Sequence, residues 1–258
     1  MIKIILIFVS IVLYLIITLP ILLIEWILGF FFPNFKSKSC QAMVLAGFRL
    51  LIVISGVKVI VLGEENVPKD RSVVYIANHR SYFDILLTYV RVPRLTGYIA
   101  KKEMSSWPVF SIWMKNLNCL FLDRENIREG VKTILAAVEK VKNGISICIF
   151  PEGTRNKIND TFLPFHDGSF KIAEKSGAPV VPITIVNSAS AFEDQFPKVR
   201  RTTIILHYGE PVYIKDLDKE TRKNIGSYFR NIISETYFRD KETYKDQIGS
   251  SKIASKQN

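Results

Sequence analysis

A histidine and an aspartate lie five positions apart, at His79 and Asp84, directly after the apolar run 73–77. The chain has only three histidines, so few side chains can take up a proton near neutral pH. Ser81 is a good N-cap residue, and a helix that starts there leaves His79 in the preceding turn, where it can meet Asp84. A carboxylate beside an imidazole fixes its tautomer and stabilises its protonated form, which equips the pair to take a proton from a hydroxyl group.

The same segment has a purely structural interpretation. Ser81 and Asp84 match the spacing of a capping box, in which Asp84 only caps the helix and His79 is an ordinary loop residue. Taken alone, the segment favours this structural interpretation.

Two further polar segments follow predicted buried strands. The sequence Pro-Glu-Gly-Thr-Arg at 151–155 follows the strand 145–150, and its arginine offers a planar fork for phosphate. Arg124 follows the short strand 120–122. Ordinary alternatives are a surface turn with an ion pair between Glu152 and Arg155, and a solvated surface arginine. Because ligands bind beyond the carboxyl ends of strands, we expect all three segments to gather at one edge of the sheet.

Alternating strands and helices predict an α/β fold with a mixed central sheet flanked by helices. Strands are predicted over 57–62, 73–77, 120–122, 145–150, 180–186 and 203–208, and helices over 82–90, 127–142, 170–175 and 217–238. Residues 56–238 are therefore predicted to form one domain. The charged and polar residues 239–258 are expected to be a disordered tail.

The N-terminal region 1–55 is predicted to be a membrane-embedded helical segment. No residue from 4 to 24 is charged, which is about the length that spans a bilayer core. The apolar run continues to Phe32, too far for a cleaved signal peptide, and no small-residue cleavage site follows it. Pro20 is a candidate break, so a single spanning helix and a bent helical hairpin both stay open.

The net charge of +11 fits an anionic lipid surface or a phosphorylated substrate. No dense basic block with interleaved aromatic residues is present, so we expect no nucleic acid partner. Lys3 precedes the first apolar run, and Lys36 and Lys38 follow it, which favours a cytoplasmic location for the main domain. The three cysteines lie far apart and predict neither a disulfide framework nor a metal site.

Four motifs in order carry a resemblance to a known family. They are His79-x4-Asp84, Phe-Leu-Asp-Arg ending at Arg124, Phe-Pro-Glu-Gly-Thr-Arg over 150–155, and Val-Val-Pro-Ile over 180–183. This order resembles the glycerophospholipid acyltransferase family and, within it, the 1-acylglycerol-3-phosphate acyltransferases. The resemblance covers 56–211 and the apolar N-terminus.

The resemblance implies a membrane-bound enzyme that moves a fatty acyl group from a thioester, acyl-CoA or acyl carrier protein, to the sn-2 hydroxyl of lysophosphatidic acid. The product is phosphatidic acid. His79 is implied as the general base and Asp84 as its partner. The implied substrate-binding residues are Arg124, Glu152, Gly153, Thr154 and Arg155. We expect no metal and no cofactor beyond the thioester co-substrate. The expected partners are the phospholipid membrane and, as one of the two donors, acyl carrier protein.

Two departures from the family pattern bear on these expectations. Asn118 stands where the family usually has glycine, and asparagine tolerates a left-handed backbone well. His166 stands where the family often has lysine, which weakens the expected contacts with phosphate or carrier. Another lysophospholipid or glycerol 3-phosphate stays open as the acceptor, and so does a catalytically silent membrane scaffold. The chain has no Gly-x-Ser-x-Gly elbow, which favours direct acyl transfer over a covalent serine intermediate.

Overall fold

The structure, a computed structural model, describes residues 2–248 and opens with two long antiparallel helices. Helix α1 is Ile2–Phe31, and helix α2 is Pro33–Ser55, with its proline in the first turn where no backbone donor is needed. At one end of the pair, Lys3 Nζ donates a hydrogen bond to the Ser55 carbonyl at 2.8 Å. Helix α1 continues through Pro20, so the break in the apolar region falls at Phe32, directly before Pro33.

A seven-stranded sheet follows, in the order β1-β7-β6-β2-β5-β3-β4. Every neighbouring pair is parallel except β6 and β7, so the sheet is mixed, as predicted. The strands are β1 Lys58–Leu62, β2 Val74–Ala77, β3 Thr96–Lys101, β4 Leu120–Leu122, β5 Ser146–Ile149, β6 Val180–Val186 and β7 Thr203–Tyr208.

Helices cover both faces of the sheet. They are α3 Tyr82–Tyr89, α4 Phe110–Asn116, α5 Ile127–Lys142, α6 Lys171–Ser176, α7 Lys219–Lys223 and α8 Ile225–Thr243. Alternate residues of β2 enter two different cores, as the two-residue period of a strand requires. Tyr75 and Ala77 lie in the core shared with α1 to α4, and Val74 and Ile76 lie in the core shared with α5, α6 and α8. The central strands are therefore buried on both faces, which explains their continuous apolar sequences.

The sequence interpretation missed β3 and α4. Strand β3 contains Gly97, which weakens a strand pattern. The glycine is needed because a Cβ at this position would lie 2.1 Å from the Asn118 carbonyl oxygen. Asn118 itself has φ 62°, so the left-handed backbone expected there is confirmed.

The predicted C-terminal boundary is wrong for residues 239–248. The helix predicted over 217–238 is broken at Asn224 into α7 and α8, and α8 continues to Thr243. Asp240 accepts a hydrogen bond from His207 of β7, and Tyr237 and Ile248 are buried in one cluster. These contacts hold a charged and polar segment against the sheet. The rest of the predicted tail, 249–258, lies outside the described residues.

Candidate active site

His79 and Asp84 are in contact at the carboxyl end of the central strand β2. His79 Nδ1 and Asp84 Oδ2 are 2.8 Å apart, and the same oxygen accepts the backbone N–H groups of Arg80 and Ser81, each at 2.7 Å. Asp84 is fully buried, whereas the His79 side chain is 14% exposed. An ionised carboxylate only accepts hydrogen bonds, so Nδ1 carries the ring proton and Nε2 keeps a free lone pair.

The structural interpretation of this segment is confirmed, and it leaves the predicted catalytic interpretation open. Ser81 Oγ accepts the Phe83 N–H at 3.0 Å, and the Asp84 side chain accepts the Ser81 N–H, which together make a capping box at the start of α3. One carboxylate oxygen both caps the helix and holds the imidazole. The cap therefore orients the dyad and does not replace it.

The His79 ring is also fixed from its face. It stacks on Phe150, the last residue before the 151–155 turn, with 4.1 Å between ring centroids and 19° between planes. Within residues 2–248, Nε2 of His79 has no hydrogen-bond partner. The ring is held by Phe150 and Asp84, and its basic nitrogen is left available.

Glu152 holds the backbone on which His79 sits. Its Oε1 accepts the His79 N–H at 2.8 Å and its Oε2 accepts the Leu163 N–H at 3.0 Å. The Asn156 N–H donates to the His79 carbonyl at 2.8 Å, so both backbone polar groups of His79 are hydrogen-bonded to the segment that follows β5. Burial raises the pKa of Glu152, and the two backbone hydrogen bonds oppose that rise. The contacts of Glu152 position the histidine; its implied role in substrate binding stays a prediction.

Asn78 ties the same segment to the neighbouring strand. Its side chain donates to the Ile185 carbonyl at 2.9 Å and accepts the Ile185 N–H at 2.8 Å, and the residue is buried. The sequence interpretation gave Asn78 no role. Its position directly after an apolar strand, where a buried amide needs partners, is the signal that was available.

Arg155 is paired, but not with Glu152. Its Nη1 lies 3.3 Å from Glu193 Oε1, its Nη2 donates to the Tyr82 hydroxyl at 3.0 Å, and its guanidinium carbon lies 3.8 Å above the Tyr82 ring. Glu193 also accepts hydrogen bonds from the Ser81 hydroxyl at 2.6 Å and from the Tyr82 N–H at 2.8 Å. The alternative of a Glu152–Arg155 ion pair is wrong, and Glu193, absent from the predicted site, is the true partner.

Arg124 reaches the same turn from the far side. Its Cζ lies 3.5 Å from the point where a Cβ on Gly153 would be, and Gly153 has φ 73°, a left-handed conformation that favours glycine. Thr154, the next residue of the turn, is exposed. In the part of the chain that the structure describes, the Arg124 guanidinium makes neither an ion pair nor a hydrogen bond. The three motifs therefore meet at one edge of the sheet, and a cationic group there is available for an anion.

Comparison with known proteins agrees with this geometry. The family model described as Acyltransferase matches residues 58–186. A probable 1-acyl-sn-glycerol-3-phosphate acyltransferase of Mycoplasma pneumoniae is 31% identical over 218 residues, covering 80% of this chain and 79% of the relative. The 1-acyl-sn-glycerol-3-phosphate acyltransferase of Borreliella burgdorferi is 29% identical, covering 74% and 76%.

A solved structure shares the fold. The crystal structure of the 1-acyl-sn-glycerophosphate acyltransferase of Thermotoga maritima matches with a TM-score of 0.64 and 26% identity, covering 88% of this chain and 94% of that one. The chain belongs to the acyltransferase family. Within that family it is similar to proteins named 1-acyl-sn-glycerol-3-phosphate acyltransferase, and the resemblance predicted from the four motifs is confirmed.

Proposed function

We propose that this chain is a membrane-bound 1-acyl-sn-glycerol-3-phosphate acyltransferase. It moves a fatty acyl group from a thioester to the sn-2 hydroxyl of lysophosphatidic acid and forms phosphatidic acid. One observation carries the proposal: His79 Nε2 and the Arg124 guanidinium lie at the same sheet edge, and neither has a partner within residues 2–248. The names and coverage of the relatives support the same acceptor.

The dyad supplies the proton transfer that the reaction requires. An alcohol is a poor nucleophile until its proton has an acceptor, and His79 Nε2 takes that proton as the oxygen attacks the thioester carbonyl. The carbon–oxygen bond forms, the carbon–sulfur bond breaks, and the imidazolium returns the proton to the departing thiolate. Asp84 stabilises the imidazolium in between. General base assistance of this kind is worth about 10²–10⁴-fold. The reaction uses no metal and no cofactor beyond the thioester.

Arg124 positions the acceptor. Its planar guanidinium suits a phosphate, and a phosphate held there brings the sn-2 hydroxyl toward His79 in the required orientation. Arg155 already pairs with Glu193 and Tyr82, whereas Arg124 has no ion-pair or hydrogen-bond partner within residues 2–248, so we assign the phosphate to Arg124. Acyl-CoA and acyl carrier protein thioesters both stay candidates for the donor.

The helices α1 and α2 are proposed to hold the domain in a membrane. Both are long and apolar enough to cross one by length and composition, and only 6% of the most apolar window of α1 is buried in the protein. The large exposed apolar side chains of these helices include Trp26 and Phe30–Phe32. Together they form a larger apolar patch than the surface of a soluble protein usually carries. Acceptor and product are both lipids, so this attachment keeps the site at their source.

The domain is proposed to face the cytoplasm. Lys36 and Lys38 lie in the first turns of α2, at the opposite end of the hairpin from Lys3 and Ser55, so they do not support this orientation as the sequence interpretation assumed. Lys3 does lie on the domain side, beside Ser55. The three free cysteines suit a reducing compartment.

The test is acyl transfer by detergent-purified protein. Labelled lysophosphatidic acid is supplied with acyl-CoA or acyl carrier protein thioester, and His79→Ala is assayed beside the wild type. Phosphatidic acid from the wild type and at least 10²-fold less from the variant supports the proposal. Product only from another lysophospholipid or from glycerol 3-phosphate assigns a different acceptor. No product from any acceptor makes the chain a silent scaffold, and full activity of the variant removes His79 as the base.

A further inference from the structure

The ring of His166 lies on the same small area of the site rim as Arg124. Its Nε2 and Cδ2 atoms are each 3.4 Å from the point where a Cβ on Gly153 would lie, and Arg124 Cζ is 3.5 Å from that point. The imidazole and the guanidinium therefore flank a single glycine. A side chain at position 153 would contact both groups, and glycine leaves that position open.

The backbone of His166 is fixed while its ring is free. The His166 N–H donates to the Pro151 carbonyl at 3.0 Å, and the Ser169 N–H donates to the His166 carbonyl at 3.0 Å. The residue is exposed, and its ring nitrogens have no hydrogen-bond partner within residues 2–248. A ring without a hydrogen-bond partner in the described part of the chain, held beside an arginine that also lacks one there, is placed for a ligand.

We propose that protonated His166 is a second ligand of the acceptor's phosphate, beside Arg124, and that it makes acceptor affinity depend on pH. This inference rests on the proposed function. An imidazolium donates two N–H groups, and a charge-assisted hydrogen bond to phosphate is roughly twice as strong as a neutral one. Histidine is the side chain that gains its charge between about pH 5 and 8. Acceptor binding is therefore expected to be tighter on the acidic side of this range and to weaken as the ring loses its proton.

The charged groups around the ring set the direction of this effect. Arg124 is the cation beside the ring, and a bound acceptor brings the negative charge of its phosphate to both groups. Asp167, the next residue, already accepts the Gly226 N–H with Oδ1 at 2.9 Å. Glu152 is buried beneath the turn, and the charge of Glu103 acts on Arg124. When the acceptor binds, its phosphate is therefore the negative charge that is added next to the His166 ring.

Three variants separate this role from a structural one. His166→Gln keeps the polarity but not the charge, His166→Lys carries a charge at every pH tested, and His207→Gln removes a histidine that pairs with Asp240 outside the site. The Michaelis constant for lysophosphatidic acid is measured for each at about pH 6 to about pH 8. Because every variant shares His79 and is given the same lipid, the ratio of each constant to that of the wild type isolates His166.

We expect His166→Gln to raise the Michaelis constant about threefold to tenfold near pH 6 and to have little effect near pH 8, with kcat changed less than about twofold. His166→Lys should flatten the pH dependence, and His207→Gln should leave it as in the wild type. A pH-independent ratio for His166→Gln, or a fall in kcat with no change in the Michaelis constant, would overturn the inference.

A binding measurement keeps the test independent of turnover. Titration of lysophosphatidic acid into wild type and His166→Gln at the same pH values should show the same loss of affinity near pH 6. Equal affinities there overturn the inference even for an active enzyme. Absence of acyl transfer from every acceptor, with the pH-dependent difference in binding retained, would contradict the proposed function alone.

Discussion

Residues 2–248 contain two histidine–aspartate pairs with nearly the same contact distance and burial. His79 Nδ1 is 2.8 Å from Asp84 Oδ2, and His207 Nδ1 is 2.6 Å from Asp240 Oδ2. Both aspartates are buried, with side-chain exposures of 0% and 5%, and both histidines are mostly covered, with 14% and 22%. A search for this contact alone would find two candidate sites.

Their surroundings separate them. Asp84 begins a helix and collects two backbone N–H groups, and its histidine lies beyond the end of β2, facing the edge where the motifs meet. Asp240 lies near the end of α8 and also pairs with Arg239, and its histidine lies inside the ladder of β7. The second pair fastens α8 to the sheet. The placement of the imidazole nitrogen that does not face the aspartate, more than the pair itself, therefore gives a histidine its chemistry.

The largest predicted contrast is between the two histidines. His79→Ala should lower kcat by about 10²–10⁴-fold because it removes the proton acceptor. His207→Ala should keep kcat within about threefold and lower the free energy of unfolding by about 1 kcal/mol through the lost hydrogen bond. Acyl-transfer kinetics and urea unfolding of both variants test this, and a comparable loss of kcat in both would abolish the distinction.

The aspartates provide the next contrast. Asp84→Asn keeps the shape of the cap but presents an amide to the ring, so the tautomer and the charge that stabilise the imidazolium are lost. We expect kcat to fall by about 10²-fold with the helix retained, measured by kinetics and circular dichroism.

Asp240→Asn is the matched control for that variant. It should change kcat little and lower stability by about 1–3 kcal/mol, since it also leaves Arg239 without its partner. A catalytic loss as large as that of Asp84→Asn would show that the far pair reaches the site.

A smaller effect is expected at Glu152, which holds the backbone of His79. His79 lies in a loop and needs this hydrogen bond, whereas the backbone of His207 is held by the β-sheet. Glu152→Gln replaces one of two acceptor oxygens with a donor that faces a backbone N–H, so we expect kcat to fall about tenfold and stability by about 1–3 kcal/mol.

The stability cost of that variant should also depend on pH. Burial raises the folded-state pKa of Glu152 above its unfolded value, so the folded wild type holds this proton more tightly than the unfolded chain does. That contribution is complete below the unfolded pKa and is lost as pH rises through the folded pKa. The stability difference between wild type and Glu152→Gln should therefore shrink as pH rises from about 4 toward 7. Denaturant unfolding at several pH values measures it, and a difference that grows with pH contradicts the assignment.

The smallest expected effect concerns the face of the His79 ring. Phe150→Leu removes the stacked partner and leaves Asp84 to orient the imidazole alone. We expect kcat to fall severalfold, equivalent to about 1 kcal/mol, with an unchanged Michaelis constant for the acceptor. An increase in that constant alone would mean that Phe150 serves the acceptor and not the base.

Much of the fold was predictable where a segment's own sequence decides its structure. Strands 180–186 and 203–208 and the helix 127–142 were placed to the residue because apolar runs and helical periodicity suffice there. Strand β3 was missed because Gly97 weakens its strand pattern. That glycine is required by the close approach of the Asn118 carbonyl, which is distant in sequence. The extension of α8 was missed because its sequence is polar, and the hydrogen bond that holds Asp240 comes from His207, a residue of a distant strand.

The site divides in the same way. The His79–Asp84 pair and Arg124 could be proposed because four motifs occur in the order of a known family, although the His79 segment taken alone favours a structural role. The partners that hold the site together could not be predicted, since Asn78 bonds a strand 107 positions away and Glu193 bonds Ser81 across 112 positions. No local pattern encodes partners at that distance.

The hydrogen bond between Lys3 and Ser55 has a topological consequence. It closes the α1–α2 hairpin at the end next to the domain, so a hairpin that enters a bilayer, as proposed, returns the chain to the side from which it departed. This holds for a hairpin that crosses fully and for one that turns back within a leaflet. A peptide epitope joined to the start of α1 should therefore be accessible to antibody or protease from the same compartment as the active site, and in sealed vesicles the two should be digested or protected together.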